Sequence, residues 1–332
     1  MTRFCDWKAT PARLTRMRKD KEELSTAEAF HLIQQVAAMH VPVLALTGGD
    51  PLSRHDLYPI VEFAARRSVR TSLTLVPTPL LTAETIVELK SCGLMRAAFW
   101  LNGSTALLHD VHTGIKGSHR RALESIGPCH EAGLPVQINT MMSRRNFHDV
   151  DSMVELLTRL DVILWNVVFL VPTNREQLDE LLSAEQHEEV FAKLYAASKH
   201  VQFQIKTSEG QHYQRYVLQQ KMRESRGRVT APEFVPRTPK NLNDSKGFVF
   251  VNYRGEVFAS RYLPIAAGNL TGEPLAELFR ESSLFTSLRD TSKLKGKCGV
   301  CSVRHVCGGS RARAYAISGD VFAEEPCCSH PI

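Results

Sequence analysis

Residues 297–331 read KCGVCSVRHVCGGSRARAYAISGDVFAEEPCCSHP, and the cysteine spacing in this stretch organises the rest of the chain. Cys298, Cys301 and Cys307 form a C-x2-C-x5-C pattern, and Cys327 and Cys328 follow about twenty residues later. Cys298 and Cys301 can share one metal from a single tight turn, and Cys307 returns to it after one more. Gly299, Gly308 and Gly309 let the backbone pass close to bulky sulfurs. Either Cys327 or Cys328 completes a set of four, and only one is needed. Four thiolates suit a tetrahedral zinc or an iron–sulfur cluster, and spacing alone does not choose between them. Clustering this dense favours a metal site over a disulfide pair or scattered core thiols.

Working outward, a chain of 332 residues accommodates one large domain and a smaller one. Its 43% hydrophobic and 23% charged content is that of a soluble globular protein. It has no apolar run of about eighteen residues, so no membrane span is expected. The opening MTRFCDWKATPARLTRMRKDKEE lacks the apolar centre of a signal peptide. Cysteines packed for metal binding indicate a reducing compartment, so a cytoplasmic protein is expected. The net charge of +6 is mild and no basic stripe is interleaved with aromatics, so neither nucleic acid nor membrane is expected as a partner.

The pattern before the tail alternates helix and strand. Ser25 or Thr26 caps a helix running to about His40, with Ala27, Ala29, Phe30, Ile33, Val36 and Ala37 at helical spacing. VPVLALTGGDP is an apolar strand ending in glycines. Helix over 54–67, strand over 70–76, helix over 82–92 and strand over 96–101 follow. The loop after that strand holds His109 and His112, which are expected at the surface. A helix over 118–132, strand 136–140, helix 146–160, the buried strand VILWNVVFLVP, helix 184–199 and strand 201–206 complete the series. Parallel strands joined by helical crossovers make an open sheet or a barrel. Polar groups gather after the strand C-termini, as Thr47-Gly48-Gly49-Asp50, Asn102-Gly103 and Asn139-Thr140, which is the active end of a β/α barrel. Residues 207–246, rich in Gln, Arg and Lys, read as a linker or loose helix. GFVFVNYRGEVFAS is a hairpin around Tyr253-Arg254-Gly255. The predicted organisation is a barrel-like domain over 1–206, a linker over 207–246 and a small hairpin-plus-cysteine domain over 247–332.

The LTGGDPL stretch, the GFVFVNYRGEV hairpin, GNL, LF-x-x-LRD and the C-x2-C-x5-C-GG-SRARAYA-x-x-GD tail together resemble the radical S-adenosylmethionine (SAM) enzymes with a C-terminal SPASM or twitch domain. The resemblance runs from Thr2 to Cys328. It implies an α/β fold, a partial (β/α)6 TIM-like barrel that binds SAM, with an auxiliary [4Fe–4S] cluster on Cys298, Cys301, Cys307 and Cys328. Cys328 is preferred over Cys327 on the family's spacing. It also implies SAM contacts from Thr47, Gly48, Gly49 and Asp50, with Asn102 and Asn139 lining the cofactor site. Arg144, Arg145, Arg311 and Arg313 are further cations that could meet an anion. The implied activity is reductive SAM cleavage followed by hydrogen abstraction from a peptide or tetrapyrrole-type substrate. The implied electron donor is a ferredoxin or flavodoxin.

One motif departs from the family. Its C-x3-C-x2-C run supplies three thiolates to a site-differentiated cluster, and here Cys5 is followed by Ala9 and Ala12. Alanine has no donor atom, so Cys5 is the sole remaining ligand and reductive SAM cleavage is expected to be impaired. The strand that should precede the motif is expected to be missing. Trp100-Leu101-Asn102-Gly103 stands where relatives tend to have Ser-Leu-Asp-Gly. The alanines fit a natural pseudoenzyme, an engineered knockout or a reading-frame error. Losing one base from codons for Lys-Cys-Asn-Ala-Cys-Pro yields Lys-Ala-Thr-Pro-Ala, the sequence from Lys8 to Ala12, which favours the frame error. Three function classes follow: a radical SAM enzyme, a non-catalytic iron–sulfur pseudoenzyme, and a zinc-stabilised barrel.

Overall fold

A computed structural model describes residues 23–225 and 247–331. The Ser25 hydroxyl accepts the Glu28 amide while the Glu28 carboxylate accepts the Ser25 amide, a capping box that starts α1 (Thr26–Ala38). Six parallel strands then appear in sequence order: β1 (Leu44–Leu46), β2 (Thr71–Thr74), β3 (Arg96–Trp100), β4 (Val136–Met142), β5 (Leu164–Phe169) and β6 (Gln204–Ser208). Among the described residues each pairs only with its chain neighbours, and the sheet curls into an open half-barrel. The crossovers carry α2 (Leu57–Arg66), α3 (Ala83–Ser91), α4 (Ala106–Thr113), α5 (Ser118–Glu124), α6 (Ile126–Glu131), α7 (Val150–Arg159) and α8 (Ala184–Ala197).

Alternation along the strands separates two faces. Leu73, Ala97, Phe99, Ile138, Trp165 and Val167 point outward into the helices and are almost fully buried. The opposite face lines the concave lumen. There the register sets Ser72 beside Arg96, Trp100 beside Asn139, and Asn139 beside Asn166 and then Lys206. This polar inner wall is what the sequence shows as alternation within otherwise apolar strands.

Two elements differ from the sequence expectation. The helix expected over 118–132 is two, α5 and α6, because Pro128 has no amide to donate to Glu124 and its ring crowds that carbonyl. The expected loop after β3 contains α4, capped by the Thr105 hydroxyl and closed by Gly114 in the left-handed region. Beyond position 206, the stretch read as a linker or loose helix carries the end of β6 and α9 (His212–Glu224); residues 226–246 lie outside the described residues.

The tail forms an antiparallel sheet of β7 (Phe250–Val251), β8 (Glu256–Phe258) and β9 (Ala266–Asn269). α10 (Leu275–Glu281), α11 (Ser283–Arg289), α12 (Gly296–Val300) and α13 (Arg311–Ser318) follow. The Leu24 amide donates to the Tyr253 carbonyl (2.8 Å) and the Leu275 amide to the Gln35 side chain (2.6 Å). Val257, Leu278 and Phe285 belong to the same apolar cluster as the barrel. Hydrophobic burial therefore runs without a break from barrel to tail.

Candidate active site and metal centre

The loops at the C-terminal ends of the strands are held by buried side chains. Asp50 accepts from the Leu52 amide (3.1 Å) and from the Thr78 hydroxyl (2.8 Å), tying the turn after β1 to the segment after β2. Its carboxylate is thus committed to bracing. Gly48 is exposed at φ +150°, a conformation that favours glycine, and leaves main chain open to approach beside half-buried Thr47 and buried Gly49. This geometry fits a cofactor cradled by main chain more than one held by the Asp50 carboxylate.

Asn102 is buried in the next brace. Its side-chain oxygen accepts the Met141 amide (2.8 Å), and its carbonyl accepts from Asn146 (2.9 Å). Its own amide donates to His109 Nδ1 (3.0 Å). His109 is therefore a buried neutral imidazole with its proton on Nε2, not a surface residue as expected. Burial pushes its pKa down to about 4, with a further push from His119. Asp149 closes the same layer by accepting both the amide and the hydroxyl of Ser104, each at 2.6 Å. Arg144 and Arg145 are exposed, and Arg145 pairs with Glu180.

Asn139 stands lower, on the lumen wall. Its side-chain oxygen accepts from Gln137 (2.7 Å) and Asn166 (3.2 Å), and Asn166 accepts from Ser208 (3.0 Å). Asn102 and Asn139 therefore belong to different layers of the barrel. Cys5, Ala9 and Ala12 lie outside the described residues.

The tail brings Cys298, Cys301, Cys307 and Cys328 to the wall of one small cavity, partly open to solvent. Cys327 does not line it; it is buried toward the Arg313–Glu325 pair. The Gly309 amide donates to Cys307 Sγ (3.4 Å) and the Glu325 amide to Cys298 Sγ (3.3 Å). Such N–H···S contacts stabilise thiolates. Burial pushes the Cys307 thiol up to about 12, with Cys328 and Cys298 adding to the rise, so an ionised set needs a cation among the sulfurs. Arg215, Lys297 and Arg304 in the same wall supply outer positive charge.

Among the described residues no three His, Cys, Asp or Glu side chains converge closely enough for one metal ion.

Behind this ring sits a layer that sequence reasoning missed. Arg313 is fully buried and forks onto Glu325 at 2.8 and 3.0 Å. Burial alone would raise the Glu325 pKa, but the Arg313 guanidinium holds the carboxyl below its usual range. Glu325 also accepts the Ser310 amide (2.7 Å), while Glu209 accepts the hydroxyls of Ser260 (2.6 Å) and Ser310 (2.5 Å). Arg311 donates to the carbonyls of Val321 and Ala323. The sequence marked Arg311 and Arg313 only as cations that could meet an anion; here Arg313 meets Glu325 of the chain itself and Arg311 meets main-chain carbonyls.

A curled α/β half-barrel with polar strand ends, followed by a tail that gathers four cysteines at one cavity, defines the class of protein. Residues 3–157 match the family model of the Radical SAM superfamily. An AdoMet-dependent heme synthase of Methanosarcina barkeri (strain Fusaro / DSM 804) is 36% identical over 306 residues, covering 92% of this chain and 87% of that protein. The chain belongs to the radical SAM superfamily. A PqqA peptide cyclase of Rhodopseudomonas palustris (strain ATCC BAA-98 / CGA009) is 26% identical over 339 residues, covering 98% of this chain and 83% of the cyclase. The crystal structure of Streptococcus suis SuiB bound to precursor peptide SuiA superposes with a TM-score of 0.75 at 12% identity, over 99% of this chain and 74% of that one. That last likeness concerns the fold alone.

Proposed function

We propose that this chain is a SPASM-type radical SAM protein that takes a tetrapyrrole in its lumen and holds an auxiliary [4Fe–4S] cluster on Cys298, Cys301, Cys307 and Cys328. The observation that carries the substrate class is 36% identity to a heme synthase over nearly the whole chain, against 26% to a peptide cyclase. In the intact family, SAM on a site-differentiated cluster is cleaved reductively and a substrate hydrogen is abstracted. Here Cys5 is followed by Ala9 and Ala12, so the residues present do not fit that cluster and no step is derived through it.

The chain's own residues do the remaining work. Gly48 and Gly49 present main chain at the strand ends, where SAM would lie. The Asp50, Asn102 and Asp149 braces hold those ends in one layer. In the tail, the two backbone amides donate to sulfur, and Arg215, Lys297 and Arg304 offset thiolate charge. The proposed domains are the barrel over 1–206, a connection over 207–246 and the cluster domain over 247–332. An intact relative would draw electrons from a ferredoxin or flavodoxin in a reducing cytoplasm. Among the described residues no helix is long and apolar enough to cross a membrane. A pseudoenzyme that keeps the tail cluster and loses SAM cleavage is the second reading, favoured by the two alanines.

Iron and acid-labile sulfide per chain, after anaerobic reconstitution, test the tail assignment. One cluster's worth of iron is expected, lost in Cys328→Ala and kept in Cys327→Ala. Loss in Cys327→Ala with retention in Cys328→Ala would reverse the ligand assignment, and zinc in place of iron would refute the cluster.

A further inference from the structure

Arg215 reaches the cysteine cavity from the barrel side of the molecule. It stands on α9, is 3% exposed, and forms part of the wall that the four cysteines share. Its terminal nitrogens are committed. Nη1 donates to Glu188 of α8 (3.3 Å) and to Gln219 one turn along α9 (2.8 Å), and Nη2 donates to Glu188. Gln219 in turn meets the His330 ring through Nε2 (3.2 Å), and His330 lines the same cavity just after Cys328. The guanidinium is therefore held in plane and in direction by two helices. Its Nε is buried and has no hydrogen-bond partner among the described residues.

A buried N–H on a charged group is costly to leave without an acceptor. The other two cations of this wall have found theirs. Lys297 donates to the Cys328 carbonyl, and Arg304 donates to the Cys301 carbonyl (3.4 Å). The sulfurs are served unequally as well. Cys307 receives the Gly309 amide and Cys298 the Glu325 amide. Burial raises the Cys328 thiol, and the His330 amide and then the Arg215 charge oppose the rise, so the guanidinium acts on the Cys328 side of the ring. An N–H on a fixed cation, facing a cavity walled by thiols, is matched by an anionic sulfur acceptor.

We propose that Arg215 Nε donates a hydrogen bond to a sulfur at the Cys328 edge of the tail cluster and so raises the reduction potential of that cluster. This inference rests on the [4Fe–4S] reading above. Reduction adds one electron, and no proton or ligand, to a cluster that four thiolates already make anionic. A fixed positive donor therefore stabilises the reduced form more than the oxidised one. Because Glu188 and Gln219 aim the guanidinium, the potential of the tail cluster depends on two helices of the barrel side.

The test uses the full chain, labelled with nitrogen-15 arginine, reconstituted anaerobically and reduced with dithionite. The N-terminal motif offers Cys5 alone, so the tail cluster is read by itself. Pulsed electron paramagnetic resonance of the reduced cluster should show a coupling to an arginine nitrogen, absent in Arg215→Lys and kept in Arg304→Gln. In a potentiometric titration, Arg215→Gln should lower the ratio of reduced to oxidised cluster at fixed ambient potential about tenfold, a fall of about 59 mV for one electron. Arg215→Lys keeps the charge but has no Nε, and should recover less than half of that fall. Arg304→Gln should shift the potential less, since its charge lies nearer solvent. Iron and sulfide per chain show that each variant keeps its cluster. Where Arg215→Gln does not, the nitrogen coupling of the unsubstituted chain decides, because it needs no variant. Absence of that coupling overturns the proposal. Full recovery in Arg215→Lys, or an equal shift in Arg304→Gln, overturns it too, and all three leave the cluster reading standing. An unsubstituted chain that binds no [4Fe–4S] defeats the cluster reading itself, and the acceptor of Arg215 with it.

Discussion

His109 couples a single side chain to the order of the strand ends. Its ring accepts the Asn102 amide, which requires a neutral imidazole, and burial holds its pKa down to about 4. The unfolded chain, with a histidine pKa of about 6.5, binds the extra proton first as pH falls. Stability is therefore complete above about pH 6.5 and is lost progressively toward pH 4. Between pH 7 and 5 this one group should cost about 2 kcal/mol. Urea midpoints at the two pH values, in the unsubstituted chain and in His109→Gln, measure it. The substituted chain should show a smaller pH dependence, and an equal dependence would remove His109 as its source. Sequence alone placed His109 in a surface loop because nothing in ALLHDVHT states that Nδ1 faces a strand end. The cysteines were more legible, since ligand spacing is local, and only Cys328 of the final pair reaches the cavity wall.

At the scale of elements, the six strands and most crossover helices could be read from hydrophobic periodicity, because each buries one face against the next layer. What escaped was the content of the strand-end connections. α4 is short, and the split between α5 and α6 depends on Pro128. The braces join residues far apart in sequence, as Ser104 does with Asp149, and such pairs leave no periodic trace. Asp149→Ala should leave the Ser104 amide and hydroxyl without their charged acceptor, costing about 2 kcal/mol. A fall in the urea midpoint of that order, with unchanged far-ultraviolet circular dichroism, is the expected result. Gly103→Ala should be at least as damaging, because its Cβ would stand 2.3 Å from that of Leu108. A stable Gly103→Ala chain would show that α4 can shift without cost. The lumen was legible in part: Gln204, Lys206 and Ser208 alternate along β6, and Gln137 and Asn139 along β4, although the alternation does not say which of them bond one another.

Across the whole molecule, the tail is joined to the barrel by one apolar cluster and by a buried polar knot. Arg313 donates to the Leu170 carbonyl beyond β5, and Glu209 beyond β6 receives Ser310 from the tail. Glu325→Gln removes the charge that balances a fully buried guanidinium, so about 3 kcal/mol or more of stability should be lost. A urea midpoint within experimental error of the unsubstituted chain would show that the knot adds nothing. The same architecture separates the two metal questions. Every proposed ligand of the tail cluster is present and brought to one cavity, whereas the N-terminal motif offers Cys5 alone. A site-differentiated cluster needs three protein thiolates and one open iron, so coordination number decides the outcome. The chain as written is expected to form no 5′-deoxyadenosine from SAM under strong reductant, although its tail binds iron. Ala9→Cys with Ala12→Cys restores the C-x3-C-x2-C spacing and should raise iron by one cluster per chain and start 5′-deoxyadenosine formation. Turnover by the unsubstituted chain would sink the coordination argument. A doubly substituted chain that gains the iron but makes no 5′-deoxyadenosine would instead move the lesion to the strand ends at Trp100 and Asn102, where a true pseudoenzyme would carry it.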